Sequence, residues 1–146
     1  MKRKTILTIL ATLIVGYSVF QWQTNNDEQD IVLEDNIEQD SELVVVKLPE
    51  RFSDSVIIGE RIFEAKCASC HGQNAAGQKG VAPSLIHKIY EPSHHGDESF
   101  QRAVALGVRA HHWPFGDMPP VEGLTRAEVA TIIAFVRELQ RENGID

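Results

Sequence analysis

Two stretches in the middle of the chain repeat apolar residues with the period of an α-helix. The first can be capped by Ser53 or Asp54 and continues to the first cysteine, Cys67. Its apolar residues are Val56, Ile57, Ile58, Ile62 and Phe63. The second stretch runs from about Asp97 to Gly107, with Phe100, Ala103, Val104 and Gly107 at positions i, i+3, i+4 and i+7. Both patterns predict amphipathic helices.

The most complete set of helix signals lies near the C-terminus. Thr125 and Glu128 have the spacing of a capping box, and Leu124 and Val129 have that of a hydrophobic staple. Gly144 stands where such a helix would end. The apolar face between these signals consists of Ile132, Ile133, Phe135, Val136 and Leu139. Residues 72–90 are instead rich in glycine and proline, which predicts a loop with at most one short helix.

Residues 1–22 have the pattern of a membrane-targeting segment. Three basic residues at positions 2–4 are followed by eighteen residues, 5–22, without a charge. This run is longer than the apolar core of a cleaved signal peptide and is near the lower limit for a membrane-spanning helix. We predict an uncleaved signal anchor whose basic end stays in the cytoplasm, which places the rest of the chain at the outer face of the membrane. Cleavage after the small residues Gly16 and Ser18 is the alternative.

The formal net charge of −7 is concentrated in residues 23–50. That stretch holds nine acidic residues and a single basic one, Lys47, whereas residues 51–146 hold ten basic and twelve acidic residues. No helical or strand period is sustained through it, so we predict a solvated flexible linker over residues 23–51. An acidic docking segment is the functional alternative. Residues 43–48 can form a short strand or lie against the domain, which is predicted to span residues 52–146. Without a basic excess, this domain gives no reason to expect nucleic acid as a partner.

The chain contains two cysteines, Cys67 and Cys70, within the stretch AKCASCHGQ. Pairs with this spacing occur in zinc sites, in redox dithiols and in attachment sites for c-type haem. A zinc site needs further ligands that only scattered histidines can supply, and a thioredoxin-like dithiol is expected in a βαβ pattern that does not surround this pair. His71, directly after the pair, favours haem: the thiols form thioether bonds to the vinyl groups, and the imidazole reaches the iron as the proximal ligand. One covalent haem c is therefore the predicted cofactor.

The order of these features resembles a class I monohaem cytochrome c. The resemblance covers roughly residues 54–143 and rests on a helix that enters CASCH, on GVAPSL, on DMPP and on the closing amphipathic helix. It implies an all-α fold of three to four helices wrapped around one haem c, with the first and last helices crossing near Gly59, Phe63 and Phe135. It also implies that the carbonyl of Pro83 accepts a hydrogen bond from the second ring nitrogen of His71. Such a bond fixes the tautomer of a ligating imidazole; an ordinary loop proline is the alternative.

The sixth ligand of the iron decides between electron transfer and ligand binding. The chain has two methionines, and Met1 belongs to the predicted anchor, so Met118 in FGDMPP is the candidate thioether. Pro119 and Pro120 prevent helix there, as a loop over a haem face requires. A gap-filling methionine is the structural alternative. His111 or His112 can also serve as the ligand, which would give a bis-histidine centre.

Two histidine pairs exceed what a small cytochrome needs. His94 and His95 lie in HHGD, and His111 and His112 lie in HHWPFGDM. Imidazole ligands suit copper and zinc, so a second metal site or a docking patch is one interpretation. Surface or haem-edge packing is the interpretation that the sequence favours. Trp113 is expected either to donate its indole N–H to a haem propionate or to pack beside it.

We therefore predict a carrier of single electrons, not an enzyme, with axial ligands His71 and Met118. Its expected location is the outer face of the cytoplasmic membrane, and its expected partners are redox proteins such as a respiratory complex, a terminal oxidase or a reductase. A haem catalyst or sensor with a labile Met118 is one alternative. A copper-handling module built on the histidine pairs is the other.

Overall fold

The structure, a computed structural model, describes residues 42–146 of the chain. Helices supply the regular structure of this part. In this part there are four α-helices and no β-strand: α1 (Asp54–Lys66), α2 (Ala68–His71), α3 (Asp97–Leu106) and α4 (Arg126–Glu142). The predicted all-α class is confirmed. Residues 72–90 contain two short 3₁₀ helices, Gln73–Ala75 and Lys88–Tyr90, where at most one short helix was predicted.

The predicted anchor, residues 1–22, lies outside the described residues, as does the predicted linker as far as residue 41. Between residues 42 and 146, the structure contains no helix with the length and apolar character needed to cross a membrane.

Helices α1 and α4 cross in direct backbone contact. A Cβ atom placed on Gly59 would lie 2.0 Å from the carbonyl oxygen of Thr131, so only glycine allows this approach. One turn further along α1, the ring of Phe63 lies 5.5 Å from that of Phe135, and both side chains are buried. This contact forms the centre of the core, together with Val56, Ala75, Ile86, Ile132, Val136 and Leu139.

The start of α4 carries a complete capping box. The Thr125 hydroxyl accepts a hydrogen bond from the backbone N–H of Glu128 at 3.2 Å, and the Glu128 carboxylate accepts one from the backbone N–H of Thr125 at 2.7 Å. The helix stops as predicted, with Gly144 at a φ of +74° just beyond its last turn. At α1, Ser53 occupies the N-cap position, but its side chain makes no capping bond and pairs with the hydroxyl of Ser55.

The compact unit begins within the predicted linker. Val44 and Val46 pack against the core while Val45, between them, is 93% exposed, which is the alternation of an extended segment. The segment is also held by hydrogen bonds: Asn143 donates to the carbonyl of Lys47 at 2.8 Å and accepts from its N–H at 2.9 Å. Residues 42–48 therefore lie against the domain without forming a strand, because alternate side chains face the core and the backbone of Lys47 is bonded to Asn143.

Candidate functional site

A short helical turn carries the cysteines and the histidine. Helix α1 ends at Lys66, and the φ of −121° at Cys67 separates it from α2. The N–H of Cys67 donates to the carbonyl of Phe63 at 2.7 Å, which ties this turn to the buried end of α1. The N–H of His71 donates to the carbonyl of Cys67 at 2.9 Å. Both thiols and the imidazole are therefore carried by one turn of backbone.

The half-buried ring of His71 has its tautomer set by a backbone carbonyl. Its Nδ1 lies 2.9 Å from the carbonyl oxygen of Pro83, and because a carbonyl can only accept, Nδ1 carries the proton. Burial lowers the pKa of His71, and the bond to Pro83 offsets only part of that effect. The ring is therefore neutral at pH 7 and keeps Nε2 unprotonated, as an axial iron ligand requires.

The segment that carries Pro83 is itself held in place. The hydroxyl of the buried Ser84 donates to the carbonyl of Ala75 at 3.0 Å and accepts from the N–H of Ile86 at 3.0 Å. The N–H of Leu85 donates to the same carbonyl of Ala75. These bonds fix the position of the Pro83 carbonyl against the turn that carries His71.

The environment of Cys67 differs from that of a reactive redox thiol. Both thiols are free, with Cys70 exposed and Cys67 partly buried. Burial, then the nearby Cys70 and Glu64, raise the pKa of the Cys67 thiol to about 11. Reactive dithiols depend on a lowered thiol pKa, so this environment disfavours disulfide exchange.

Met118 lies in a loop that is pinned to the end of α3. The backbones of Val108 and Met118 exchange two hydrogen bonds of 2.9 Å each, and Asp117 accepts from the N–H of Ala110 at 2.8 Å. Gly107 has a φ of +73°, and a Cβ atom there would lie 2.5 Å from the carbonyl oxygen of Met118. The methionine backbone is thus held in an extended conformation, and its side chain is half-buried.

The residues present fit a covalently bound haem. Two thiols, a neutral imidazole with a free Nε2 and a thioether make up the donor set that His/Met ligation of a c-type haem uses. The exposed large apolar side chains include Val81, two residues before Pro83, which is 43% exposed, and Leu106, the last residue of α3, which is 72% exposed. An apolar macrocycle would cover surface of this kind.

Trp113 donates its indole N–H to the hydroxyl of Tyr90 at 3.0 Å. Its ring also meets that of His87, with centroids 5.0 Å apart. The contact joins the loop before Met118 to the 3₁₀ helix Lys88–Tyr90. No local sequence pattern indicates Tyr90 as this partner, because the two residues are 23 positions apart. The propionate contact of Trp113 stays a prediction.

The histidine pairs come together in space. One potential ligand atom from each of His94, His95 and His112 lies within 4.8 Å of the other two. His111 lies beside them, with its ring centroid 4.1 Å from that of His112. Partial desolvation, followed by the charges of His111, His95 and His94, lowers the pKa of His112.

A buried arginine, missed by the pattern analysis, organises the loop that carries His94 and His95. Arg137 is 7% exposed and lies on the apolar side of α4. It donates to the carbonyl of Tyr90 at 2.6 Å, to that of His95 at 2.5 Å and to Asp97 at 3.0 Å. A charged residue between Val136 and Leu139 was the signal that could have revealed it.

Comparison with known proteins gives one family. The family model described as cytochrome c matches residues 56–140, more than half of the chain. No curated protein and no solved structure matches the chain significantly. The match includes both cysteines, His71, Pro83 and Met118.

Proposed function

Because the chain belongs to the cytochrome c family, we propose that it carries single electrons at the outer face of the cytoplasmic membrane, between redox proteins of a respiratory chain. The family binds haem c covalently through a Cys-x-x-Cys-His motif, which Cys67, Cys70 and His71 supply. When bound, this group accepts and releases one electron at its iron.

The bond between His71 and Pro83 is the observation that carries the proposal. It leaves Nε2 as the only ring nitrogen that can ligate the iron, and it makes the imidazole more electron-donating. The half-buried position of the ring also limits competition from water. His71 is accordingly proposed as the proximal ligand.

Met118 is proposed as the sixth ligand. The paired backbone at Val108 and the two prolines that follow Met118 constrain the conformation of the ligand loop. A preformed loop of this kind favours the same ligand set in both oxidation states. A closed His/Met site passes electrons and does not bind small molecules.

The membrane location and the partners are further parts of the proposal. The eighteen uncharged residues after the basic N-terminus support an anchor, and the acidic residues 23–41 support a solvated tether. The exposed Cys70 supports docking of partners at the edge of the site that carries the thioether bonds. Complexes between redox partners of this type bury a small interface and bind weakly.

The first test is the absorption spectrum of the haem-loaded protein, oxidised and reduced, with and without carbon monoxide. We expect the weak near-infrared band of methionine-ligated ferric haem and no change of the ferrous spectrum with carbon monoxide. Binding of carbon monoxide to the untreated ferrous protein would reject the carrier proposal in favour of a catalyst or sensor.

Variants separate the candidate ligands. Met118→Leu should abolish the near-infrared band and open the ferrous iron to carbon monoxide. The control variants His111→Gln and His112→Gln should keep the wild-type spectrum. Loss of the wild-type spectrum in either histidine variant, with no change in Met118→Leu, would establish bis-histidine ligation instead.

The anchor is tested by the intact mass of the haem-loaded protein recovered from membranes. Retention of residues 1–22 and release only by detergent are expected. A mature chain that begins after Gly16–Ser18 and stays in the soluble fraction would contradict the tethered form while leaving the electron-carrier proposal in place.

A further inference from the structure

We propose that His94, His95 and His112 form a second metal site, separate from the haem attachment turn, which binds a divalent ion of the copper–zinc class. The three residues come from two loops that are far apart in sequence but adjacent in the fold. The proposal does not depend on the electron-carrier function, because none of its ligands is a proposed haem ligand.

The spacing of the ligand atoms is close to that of a three-histidine site. One nitrogen from each of the three rings lies within 4.8 Å of the other two. Around a zinc ion with Zn–N bonds of about 2.1 Å, nitrogens at tetrahedral angles are about 3.4 Å apart. The nitrogens must therefore approach one another by about 1.4 Å at most, and rotation of the exposed side chains of His94 and His112 can supply this movement.

One ring nitrogen of His95 is hydrogen-bonded to the backbone, as is usual for a histidine that ligates a metal through its other nitrogen. The Nδ1 of His95 lies 2.5 Å from the carbonyl oxygen of Ile89, so Nδ1 carries the proton and Nε2 is free to ligate. The residue is half-buried, with its ring 5.3 Å from that of Tyr90. His95 therefore has a fixed tautomer, and one side of its ring packs against Tyr90.

Each of the two loops is fixed by bonds that do not involve the histidine side chains. The N–H groups of His94 and His95 both donate to the carbonyl of Glu91, at 3.0 and 2.8 Å, and Arg137 holds the carbonyl of His95. The loop with His112 is closed by Asp117, and Trp113 fastens it to Tyr90. These bonds restrain the two loops that carry the rings, which lowers the entropic cost of binding.

The donor set selects the class of ion. Three imidazoles suit copper and zinc, whereas calcium and magnesium require oxygen ligands. At a site of this composition the Irving–Williams order places copper(II) above zinc(II) in affinity. His111, whose Nδ1 lies 2.8 Å from the carbonyl oxygen of Arg109, stands next to the site and is not one of its three ligands.

The test is calorimetric titration of the full-length, haem-loaded protein, purified without an affinity tag, with zinc chloride and separately with copper(II) chloride. We expect one ion per chain and tighter binding of copper. His94→Gln and His112→Gln should each weaken zinc binding by about 100-fold or more, since loss of even an outer partner of a metal ligand costs 10–100-fold.

His87→Gln and His111→Gln are the matched controls, because both replace an exposed histidine outside the three-residue set. Neither should change zinc affinity more than about threefold. No binding by the wild-type protein, or equal loss in the His87 or His111 variant, would overturn the assignment. The absorption spectrum of each variant reports the haem site independently, so failure of this proposal and failure of the proposed function are distinguishable.

Discussion

At the scale of single residues, Arg137 connects more segments of the fold by hydrogen bonds than a surface arginine would. Its guanidinium donates to two backbone carbonyls, to Asp97 and to the side chain of Gln140, which is itself fully buried. It also lies 4.9 Å above the ring of Phe100. The residue therefore links α4, α3 and the loop with His94 and His95.

We predict that Arg137→Met lowers the free energy of unfolding by on the order of 3 kcal/mol, since the part-buried carbonyls of Tyr90 and His95 each lose a charged donor. Urea unfolding of the haem-loaded protein measures this loss. Arg126→Met is the control: Arg126 also pairs with an acidic residue, Glu98, but both side chains are more than 60% exposed, and little change is expected. Equal effects of the two substitutions would contradict a special role for the buried arginine.

The role of a residue could be predicted from the sequence where its partners lie close to it along the chain. The turn with Cys67, Cys70 and His71 is local, so the cysteine spacing together with the histidine that follows indicated its chemistry. Arg137 and the contact between Trp113 and Tyr90 depend on chain segments that meet only in the folded protein, and no local pattern records such meetings. The convergence of His94, His95 and His112 is of the same kind: the pairs were visible in the sequence, but their proximity was not.

At the scale of elements, the crossing of α1 and α4 depends on the absence of a side chain at position 59. In an isolated helix, alanine would be favoured over glycine by about 1 kcal/mol. Here the added Cβ would lie 2.0 Å from the backbone of Thr131, and that backbone belongs to a helix that cannot shift alone.

Gly59→Ala should therefore destabilise the protein by about 3 kcal/mol, the upper part of the range for overpacking, despite its better helix propensity. Thermal unfolding followed by circular dichroism measures the change. Ile58→Ala, at the neighbouring position on α1 where the side chain is 53% exposed, is the control and should have a smaller effect. A neutral or stabilising Gly59→Ala would show that the two helices separate at little cost.

The capping box at the start of α4 predicts a dependence of stability on pH. Hydrogen bonds from the backbone N–H and the hydroxyl of Thr125 lower the pKa of Glu128. A carboxyl whose pKa is lower in the folded than in the unfolded state contributes stability above its ordinary pKa, and loses that contribution as the pH falls through the folded value.

The wild-type protein should therefore exceed Glu128→Gln in Tm at pH 7, and the difference should shrink below about pH 4, near the ordinary pKa of glutamate. Thr125→Ala removes the hydroxyl of the same box and should cost about 1 kcal/mol at neutral pH. Melting curves of the three proteins between pH 3 and pH 7 test both statements. A difference between wild type and Glu128→Gln that is constant with pH would exclude the carboxylate as the source.

At the scale of the whole molecule, the compact unit is larger than the domain of residues 52–146 that composition indicated. The acidic residues suggested that solvent surrounds the segment before residue 52, and three successive valines, Val44, Val45 and Val46, lack the alternation of apolar and polar residues that would predict a half-buried strand. Burial of two valines and two hydrogen bonds to Asn143 hold the segment in place. The helix patterns and the haem attachment motif are longer and more regular than the run of valines, and the acidic stretch of residues 23–50 does not overlap them.

A chain shortened to residues 52–146 should accordingly be less stable than one that begins at residue 41, by about 2–3 kcal/mol, as judged from the buried valine surface and the lost hydrogen bonds. Asn143→Ala distinguishes docking from a general effect of length. In the longer chain it removes the bonds to Lys47, whereas in the shorter chain only its bond to the carbonyl of Leu139 is lost. The substitution should therefore cost more in the longer chain, and the excess measures the coupling between the segment and the C-terminal end of α4. Equal costs in both chains would mean that residues 42–48 contribute nothing through this contact, and that the domain is complete from residue 52.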